Sequence, residues 1–301
     1  MRVLSAADVR AALPMPACVA AAARGLGAEA VVPERPVLRL PRGDLLFMPG
    51  HLPGVAAGLK VVGVFPDNPA RGLPATLGAV LLVDETTGVP TALLDGTSLT
   101  SLRTGAATGV AAARLARPGA AILAVLGAGG IAADQIAGVR AVRPIAEVRL
   151  WNRTPAKAER LAAALEGVRA RLCPTAAAAV AGADVVVCCT SAKEPVLRGA
   201  WLAPGALVCA VGGYTADMME VDAECVRRAA TVAADNVGEA VRTGDLAGRI
   251  DPGRVVAIAA AGPRAAGTEI AFFKSVGTAA LDLACAQAAV AAGAGTEIDL
   301  G

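Results

Sequence analysis

Aromatic residues and histidine are scarce in this chain of 301 residues. Aromatic side chains make up 2% of the sequence although 55% of it is hydrophobic, so the core must consist mainly of alanine, valine and leucine. The single histidine, His51, follows a Met-Pro-Gly turn, and we expect it to be structural. A Ser-His-Asp triad would have to use this residue, and nothing else in the sequence indicates one.

An excess of either charge is also absent. The formal net charge is +2, and a nucleic-acid-binding surface usually requires a basic stripe, so we expect no nucleic-acid partner. The seven cysteines lack the spacing of metal ligands, and we expect no metal site. Their odd number and scattered positions are typical of reduced thiols that serve as small hydrophobic residues, which predicts a cytoplasmic location.

Neither a secretory signal nor a membrane span is expected. Asp8 and Arg10 lie where a signal peptide needs an apolar core. The longest apolar run, residues 176–192, is too short to cross a bilayer and is interrupted by Asp184. We therefore predict that the chain has no membrane partner.

The most informative segment, residues 120–154, combines an apolar strand, a glycine-rich turn, a helix and a second strand. The turn has the pattern G-x-G-x-x-A. In dinucleotide-binding folds the first glycine permits a tight turn, and the second leaves room for the pyrophosphate at the helix N-terminus. The small third residue lets the helix lie close to the sheet. The residues expected to contact a dinucleotide here are Gly127, Gly129, Gly130 and Ile131.

The end of the second strand predicts which dinucleotide binds. It reads Asn152-Arg153-Thr154, without the Asp or Glu that accepts a hydrogen bond from the ribose of NAD. A guanidinium at this place can bind a 2′-phosphate instead. Thr154 also suits the N-cap of the next helix. We predict NADPH as the cofactor, with NADH as the alternative, and these three residues at its site.

The first 115 residues predict an α+β domain with an antiparallel sheet. Helices are expected at about residues 5–13, 17–26 and 98–116. Turn signals separate the strand-like segments, which lie at about residues 37–40, 45–48, 59–64, 79–84 and 90–95. The third helix leads into Arg117-Pro118-Gly119, which we interpret as the domain boundary.

Strands alternate with helices from residue 120 to about 260, which predicts an α/β fold with a Rossmann-type, doubly wound parallel sheet. The strands are expected near residues 121–126, 147–151, 168–172, 184–189, 206–211 and 231–234. Ligands of such sheets bind beyond the carboxyl ends of the strands. The residues found there are Thr190, Ser191, Val211 and Gly212. Residues 273–292 predict one helix that packs back onto the first domain.

Several segments outside the glycine turn resemble the ornithine cyclodeaminase/mu-crystallin family, from about Pro33 to Asp282. The most specific are LLDGTSLTSLRTGAA, which begins at Leu93, and FFKSVG, which begins at Phe272. The family includes cyclodeaminases, alanine dehydrogenases, ketimine reductases such as mu-crystallin, and reductases of cyclic imino acids. Its members act on small imino or amino acids, so the resemblance implies such a substrate.

The resemblance also implies a division of labour along the chain. Residues 1–116, joined by 273–301, would bind the substrate and form a homodimer. Residues 117–272 would bind NAD(P).

Three cations of the first domain match the active-site residues of that family. The resemblance places its substrate-binding arginines on Arg35 and Arg103 and its active-site lysine on Lys60. A guanidinium matches a planar carboxylate at two points, and burial of Lys60 in its apolar strand would lower its pKa enough for proton transfer. The alternatives are a solvated surface arginine for Arg35, a cap or salt bridge for Arg103, and a snorkelling lysine for Lys60.

Hydroxyl side chains near the strand ends are expected to line the nicotinamide and its ribose. They are Thr76, Thr104, Thr190, Ser191 and Ser275. The last of these belongs to the segment FFKSVG, which strengthens its assignment.

One position departs from the cyclodeaminases. Those enzymes carry an aspartate after the glycine pair that follows the fifth Rossmann strand, where this chain has Tyr214. A phenol is a poor base near neutral pH. Asp217 lies three residues further on, and a substitute role for it is open. The segment GGYTADMME is more similar to the cyclic imino acid reductases, although Ala216 replaces their usual proline.

We predict an NADPH-dependent reductase of cyclic α-imino acids, such as Δ1-pyrroline-2-carboxylate or Δ1-piperideine-2-carboxylate, with Lys60 and Arg103 as catalytic residues. The products would be proline or pipecolate. The alternatives are an ornithine or lysine cyclodeaminase with bound NAD+, an amino acid dehydrogenase similar to alanine dehydrogenase, and a non-catalytic protein that binds NADPH or a small ligand.

Overall fold

The computed structural model describes residues 1–262 and 267–299, which form two compact units. Unit 1 consists of Met1–Arg103 and the C-terminal residues from Thr278, and unit 2 consists of Thr104–Gly277. The division falls inside the helix predicted at about 98–116, earlier than the boundary expected at Arg117. Residues 263–266, 300 and 301, which fall within the predicted domain ranges, lie outside the described residues.

The described residues contain fifteen strands and nine α-helices. The strands are β1 (Arg2–Leu4), β2 (Val37–Leu40), β3 (Gly43–Leu52), β4 (Ala56–Val64), β5 (Thr76–Val83), β6 (Pro90–Asp95), β7 (Ile122–Leu126), β8 (Glu147–Trp151), β9 (Arg169–Leu172), β10 (Val185–Cys188), β11 (Leu207–Ala210), β12 (Ala229–Ala234), β13 (Val255–Ala257), β14 (Ile270–Lys274) and β15 (Thr296–Glu297). The helices are α1 (Ala6–Ala12), α2 (Met15–Gly27), α3 (Gly96–Leu115), α4 (Ala132–Arg140), α5 (Pro155–Ala163), α6 (Ala176–Val180), α7 (Ala223–Arg228), α8 (Val237–Ala240) and α9 (Ala279–Ala291).

Unit 1 contains a seven-stranded sheet in the order β15-β1-β6-β5-β4-β3-β2. Neighbouring strands from β2 to β6 are antiparallel, as predicted, but β1 runs parallel to β6, so the sheet is mixed. The sequence analysis missed β1 and β15 because strands of three and two residues are too short to show alternation. Helix α9 packs against β3, β4 and β5 and against α2.

Small residues bring α2 and α9 close together. A Cβ atom added at Gly25 would lie 2.7 Å from both the carbonyl oxygen of Ala280 and the Cβ atom of Ala284. The Sγ atoms of Cys18 and Cys285 lie 3.8 Å apart between the same two helices. The alanine-rich sequence thus builds a dense core without aromatic side chains.

Unit 2 contains an eight-stranded sheet in the order β13-β12-β14-β11-β10-β7-β8-β9, in which every neighbouring pair is parallel. The fold class is therefore α/β, as the alternation of strands and helices predicted. Strands β8 and β9 extend the sheet to one side of β7, whereas β10 and β11 extend it to the other. The switch point, where such sheets bind ligands, consequently lies between β7 and β10.

Two glycines form the contact at which α3 crosses α4. A Cβ atom added at Gly138 would collide with the carbonyl oxygen of Gly105, and one added at Gly105 would collide with the carbonyl oxygen of Asp134. The hydroxyl of Thr108 forms a hydrogen bond of 2.5 Å with Gln135 Oε1 between the same helices. Because of these contacts, the part of α3 after Arg103 belongs to unit 2. The two units therefore divide at Arg103 and not at Arg117, where the sequence predicted the domain boundary.

The helix predicted at residues 273–292 is wrong over its first six residues. Phe273 and Lys274 are the last residues of β14, and α9 begins at Ala279. The five residues of β14, which lies between β11 and β12, are all buried. Because a buried strand and a buried helix are both uniformly apolar, hydrophobic periodicity does not separate them.

No single helix in the described part of the chain is long and apolar enough to cross a membrane. By length and composition alone the pair α1 and α2 would suffice, although the two are bent by 86°. Among residues 1–262 and 267–299, no three metal-ligating side chains come together. The seven cysteines are free and six are buried; the cytoplasmic location expected from them stays a prediction.

Candidate active site

Lys60 lies in β4, where its neighbours across the sheet are Met48 in β3 and Val80 in β5. The residue is only 1% exposed. Its side chain reaches α9, and the ammonium Nζ lies 2.9 Å from each carboxylate oxygen of Asp282. A lysine buried to this degree requires a paired charge, and Asp282 supplies it.

Asp282 also contacts Arg103, which lies in α3 and belongs to unit 1. The Nε atom of Arg103 lies 2.9 Å from Asp282 Oδ1. This contact and that of Lys60 with Asp282 Oδ2 are ion pairs without the alignment of a hydrogen bond. Arg103 Nε and Asp282 Oδ2 are therefore buried without a hydrogen-bond partner among the described residues. One carboxylate is therefore shared by two buried cations.

Positive charge is in excess in this cluster. Burial, followed by the charge of Arg103, lowers the pKa of Lys60 from 10.5 to about 8, against the opposing effect of Asp282. The half-buried Arg35 lies close enough for its charge to lower this pKa further. With Lys60 protonated, two buried cations, Lys60 and Arg103, face the single carboxylate of Asp282. This excess suits an anion such as a substrate carboxylate.

The three cations identified in the sequence thus lie together in unit 1, but their partner Asp282 was missed. It ends the segment FFKSVGTAALD, part of which carried the family resemblance. A chemical signal was present, because Asp282 is the only charged residue in α9, whose other residues are apolar except for Gln287. A lone carboxylate in a helix that is apolar on all sides needs a buried cation.

The glycine turn after β7 has the geometry that its pattern predicts. Gly127 has a φ of +109°, and a Cβ atom there would lie 2.7 Å from the carbonyl oxygen of Cys189. Only glycine fits such a position. A Cβ atom at Gly129 or Gly130 would meet no protein atom within 4 Å. These two glycines leave open space where a pyrophosphate approaches in dinucleotide-binding folds.

Helix α4 begins directly after this turn. Its N-cap residue, Ile131, offers no side-chain hydrogen bond to the first N–H groups of the helix. Those N–H groups and the positive end of the helix dipole favour an anion. The residues present therefore fit the pyrophosphate of a dinucleotide.

The three predicted residues after β8 have different environments. Asn152 ties this strand end to the glycine turn, because its Oδ1 accepts from the Ala128 N–H at 3.0 Å and its Nδ2 donates to the Thr154 carbonyl at 2.9 Å. Arg153 is exposed, and its guanidinium has no hydrogen bond or ion pair with the described residues. Thr154 is the N-cap of α5, but its side chain makes no capping hydrogen bond. Arg153 and Thr154 are consequently available to a ligand.

The loops after β10 and β11 are joined by Glu220. Its Oε1 accepts hydrogen bonds from the N–H and the hydroxyl of Thr190, at 2.6 and 2.9 Å. Its Oε2 accepts one from the N–H of Gly212 at 2.7 Å. The Thr190 hydroxyl, which the sequence analysis assigned to the cofactor, is already hydrogen-bonded within the protein.

Ser275 is held in a similar way. Its hydroxyl donates to Asp235 Oδ2 at 2.6 Å, and the residue is 2% exposed. Asp235 also accepts from the N–H groups of Val276 and Gly277, each at 2.9 Å, and so holds the turn after β14. Neither Asp235 nor Glu220 is evident in the sequence, because each forms its hydrogen bonds with loops that are distant from it along the chain.

The remaining predicted cofactor residues lie in varied positions. Thr104 is buried in α3 at the start of unit 2, and Val211 is buried directly after β11. Ser191 is exposed in the loop after β10, and Thr76 is the first residue of β5 in unit 1. Their contacts with a cofactor stay predictions.

Asp217 does not have the properties of a base. Its Oδ2 lies 2.7 Å from Lys193 Nζ, and its Oδ1 accepts a hydrogen bond of 2.6 Å from the Thr215 hydroxyl. The hydrogen bond from Lys193, followed by that from Thr215, lowers the pKa of Asp217 to about 2. So weak a base near neutral pH does not replace the aspartate of the cyclodeaminases.

Known proteins resemble this chain over almost its whole length. The model of the ornithine cyclodeaminase/mu-crystallin family matches residues 2–291. Δ(1)-Pyrroline-2-carboxylate reductase 1 of Burkholderia multivorans is 37% identical over 296 residues, which cover 95% of this chain and 94% of that protein.

Two solved structures are similar throughout. The Δ(1)-pyrroline-2-carboxylate reductase of Thermococcus litoralis, in complex with NADH and L-proline, is 32% identical with a TM-score of 0.95, over 99% of this chain and 100% of that one. An archaeal alanine dehydrogenase dimer with bound NAD is 30% identical with a TM-score of 0.92, over 100% of this chain and 99% of that one.

Proposed function

The chain belongs to the ornithine cyclodeaminase/mu-crystallin family, and from that premise we propose that it is an NADPH-dependent reductase of cyclic α-imino acids. The reaction adds a hydride to the carbon and a proton to the nitrogen of a C=N bond next to a carboxylate. Δ1-Pyrroline-2-carboxylate would give proline, and Δ1-piperideine-2-carboxylate would give pipecolate. The observation that carries this proposal is the cluster of Lys60, Arg103 and Asp282, which combines a proton donor with a cationic site.

Arg103 binds the substrate carboxylate, with Arg35 as the second cation. Asp282 contacts Arg103 through Nε, at the base of the guanidinium fork. Two-point binding of a planar carboxylate fixes the face of the C=N bond that is presented to the hydride donor. This contribution is one of positioning.

Lys60 protonates the imine nitrogen. Because its pKa is lowered to about 8, the group is mainly an ammonium at neutral pH yet releases its proton more readily than an ordinary lysine. A proton shared with the nitrogen makes the neighbouring carbon more electrophilic. Asp282 keeps the ammonium in place from the opposite side.

The glycine turn and the first turn of α4 would hold the pyrophosphate of the cofactor. A bound nicotinamide dinucleotide supplies the hydride. The preference for NADPH rests on Arg153, which is exposed and unpaired among the described residues, and on the lack of a carboxylate at the end of β8. A guanidinium in that place can bind a 2′-phosphate with charged hydrogen bonds.

A cyclodeaminase is the less suitable interpretation. Ring closure from ornithine needs a base for the side-chain amine, and Tyr214 stands where those enzymes have aspartate. Asp217, the nearby carboxylate, is occupied by Lys193 and has a pKa of about 2.

We also propose a homodimer formed through unit 1. The edge strand β2 is exposed, and Leu38 within it is 51% exposed. Leu73 and Leu77 are exposed as well. Leu77 lines a hollow of about 490 Å³ together with Leu45, which pairs with Leu38, and Val61. An apolar edge of this kind invites pairing with another chain unless it is covered.

The proposal is tested by following NADPH and NADH absorbance in parallel with candidate substrates. We expect NADPH consumption with Δ1-pyrroline-2-carboxylate or Δ1-piperideine-2-carboxylate, without any requirement for ammonia. Consumption only with pyruvate and ammonia would favour an amino acid dehydrogenase. Ammonia release from ornithine without added reductant would establish a cyclodeaminase, and binding without turnover would exclude an enzyme of this type.

The variant Lys60→Met tests the role of the proton donor. General acid catalysis contributes about 10²–10⁴-fold to rates, so we expect kcat to fall by at least about 100-fold. The Kd for NADPH should be unchanged, because the glycine turn, the first turn of α4 and Arg153 all lie in unit 2. The exposed Lys157→Met is the matched control and should leave both values unaltered. A Lys60→Met enzyme that keeps most of its activity would refute this role.

A further inference from the structure

Glu220 lies at the junction of the loops that follow three neighbouring strands. Its carboxylate accepts three hydrogen bonds, two from Thr190 after β10 and one from Gly212 after β11. The Thr190 methyl group is also close to the glycine turn, since a Cβ atom at Gly127 would lie 2.9 Å from it. The carboxylate thus connects the ends of β10 and β11, and the contact with the turn after β7 is made by the Thr190 methyl group.

The loops after β10 and β11 are packed tightly against each other. A Cβ atom at Gly212 would collide with the Thr190 carbonyl oxygen and would lie 2.8 Å from Glu220 Oε1. The two loops are therefore in backbone contact, and Glu220 closes the gap that remains between their N–H groups. The position of each loop depends on the charge and length of this side chain.

A second pair of charges holds Glu220 itself. Asp245 Oδ1 accepts hydrogen bonds from the backbone N–H groups of Glu220 and Val221, at 2.7 and 3.1 Å. Asp245 Oδ2 accepts one from Lys274 Nζ at 2.7 Å, and Glu220, Asp245 and Lys274 are each 0% exposed. Burying three charged groups costs free energy. Their hydrogen bonds hold the loops after β10 and β11 in place.

The loops that Glu220 connects belong to the half of the sheet where the fold predicts the nicotinamide to bind. In doubly wound folds each half of the sheet binds one mononucleotide, and the ligand crosses the switch point. Here β7, β8 and β9 form the half with the glycine turn, and β10 and β11 begin the other half. Thr190 and Gly212 belong to that second half.

We propose that Glu220 is a positioning residue for the nicotinamide half of the cofactor, acting through Thr190 and Gly212 rather than by contact with the ligand. This inference rests on the proposed function, because it requires that a dinucleotide binds at this edge. The proposal gives Glu220 no role in binding the adenosine half of the cofactor, because the residues expected to bind that half lie at the ends of β7 and β8.

The proposal has a consequence for pH. Burial raises the pKa of Glu220 to about 7, against the lowering by Lys274, while Asp245 raises it further. The thiols of Cys188 and Cys189 also face this carboxylate. Below pH 7 the carboxyl gains a proton and loses acceptor capacity for the three N–H and O–H donors. Binding of the nicotinamide half should therefore weaken as the pH falls from 8 to 6.

The experiment compares ligands that carry the nicotinamide base with ligands that lack only that base, with binding measured by calorimetry. The pairs are NADPH with 2′-phospho-ADP-ribose and NADH with ADP-ribose. In Glu220→Gln an amide N–H₂ must face one of the backbone N–H donors, and we expect the Kd for NADPH and NADH to rise roughly three- to tenfold. The Kd for both truncated ligands should stay as in the wild type.

The matched control is Asp184→Asn. Asp184 is a partly buried carboxylate that also accepts two backbone N–H groups, from Ala121 and Ile122, but at the amino ends of the strands. Its loss should lower thermal stability without changing the Kd of any ligand. A purely structural role for Glu220 would change all four affinities together or none of them, and either result would overturn the proposal.

The wild-type protein provides a second test that needs no variant. Between pH 8 and pH 6 the Kd for NADH should rise relative to that for ADP-ribose, and a constant ratio would contradict the proposal. NADH and ADP-ribose are used here because a 2′-phosphate would itself titrate in this range. If the wild type binds none of the four ligands at any pH, the dinucleotide site fails, and with it the proposed function.

Discussion

At the scale of single residues, Asp282 controls the chemistry of the cluster in unit 1. Its carboxylate contacts the ammonium of Lys60 and the guanidinium of Arg103, and all three groups are buried. Removing one member of a buried ion pair typically costs about 3–5 kcal/mol, because the other charge loses its compensation. Asp282 is therefore needed both to keep the two cations inside the protein and to set the proton affinity of Lys60.

The lowered pKa of Lys60 predicts a pH dependence with a definite sign. Its pKa is about 8 rather than 10.5, so the group is an ammonium below pH 8 and a neutral amine above it. Reduction of a C=N bond requires the ammonium. We expect kcat/KM for reduction to fall as the pH rises through about 8, by up to tenfold per unit, and kcat/KM for amino acid oxidation to rise over the same range. Steady-state rates in both directions measure this.

The variant Asp282→Asn shows whether Lys60 is the group that titrates. Asp282 raises the pKa of Lys60, so its replacement should move the break in the profile to lower pH. If the break in the pH profile of the variant lies at the same pH as in the wild type, the group that titrates is not Lys60 but another one, such as the substrate. A fluorescence melting curve of the variant establishes that it remains folded.

At the scale of elements, the crossing of α3 and α4 depends on glycine at two positions. The backbones of the two helices are so close that neither Gly105 nor Gly138 has room for a methyl group. Interiors are packed to crystal-like density, so a clash with backbone atoms is relieved only by moving a helix. The glycine turn that precedes α4 would move with it.

We expect Gly138→Ala to destabilise unit 2 although alanine favours a helix by about 1 kcal/mol over glycine. Overpacking of a well-packed contact costs about 1–3 kcal/mol, and each net kcal/mol lowers the melting temperature of a domain of this size by about 2–4 °C, so we expect it to fall by up to about 8 °C. Thermal denaturation followed by circular dichroism is the measurement.

Gly238→Ala is the control for this change. Gly238 lies in α8 of the same unit and is exposed, and a Cβ atom there would contact only Asn236 Oδ1, at 3.8 Å. The melting temperature of this variant should be unchanged or slightly raised. Equal melting temperatures for Gly138→Ala and the wild type would show that the two helices are not in close contact.

At the scale of the whole molecule, both sheets end in an edge strand with an exposed apolar residue. Leu38 in β2 of unit 1 is 51% exposed, and Val256 in β13 of unit 2 is 37% exposed. Leu38 pairs with Leu45 in β3, and Leu45 lines the same hollow of unit 1 as the exposed Leu77. We therefore proposed this edge as the dimer interface.

Leu38→Lys should convert the dimer to a monomer, because a lysine in an interface core must be desolvated without a partner. The molar mass in solution, measured by light scattering after size exclusion, tests this. Val256→Lys introduces the same charge at β13, one of the two edge strands of unit 2, and should leave the mass unchanged. A wild-type mass of one chain, or loss of the dimer with Val256→Lys alone, would contradict the assignment of the interface.

Local features of the sequence determined much of the fold and part of the site. The strand, glycine turn, helix and second strand at residues 120–154 were predictable because each depends on neighbours within a few residues. Helix α3, strands β3 to β6 of unit 1 and strands β7, β8, β10 and β11 of unit 2 were found for the same reason. The burial of Lys60 also followed from its position in an apolar strand.

Only the tertiary structure decided which charges meet. Lys60 and Asp282 are separated by 222 positions, and Glu220 joins loops 30 and 8 positions before it. No periodicity reports such pairs, because the energy of a buried charge depends on its distance from another charge and not on its neighbours in sequence. The assignment of β14 failed for a related reason: burial on all sides removes the polar face by which strand and helix are told apart.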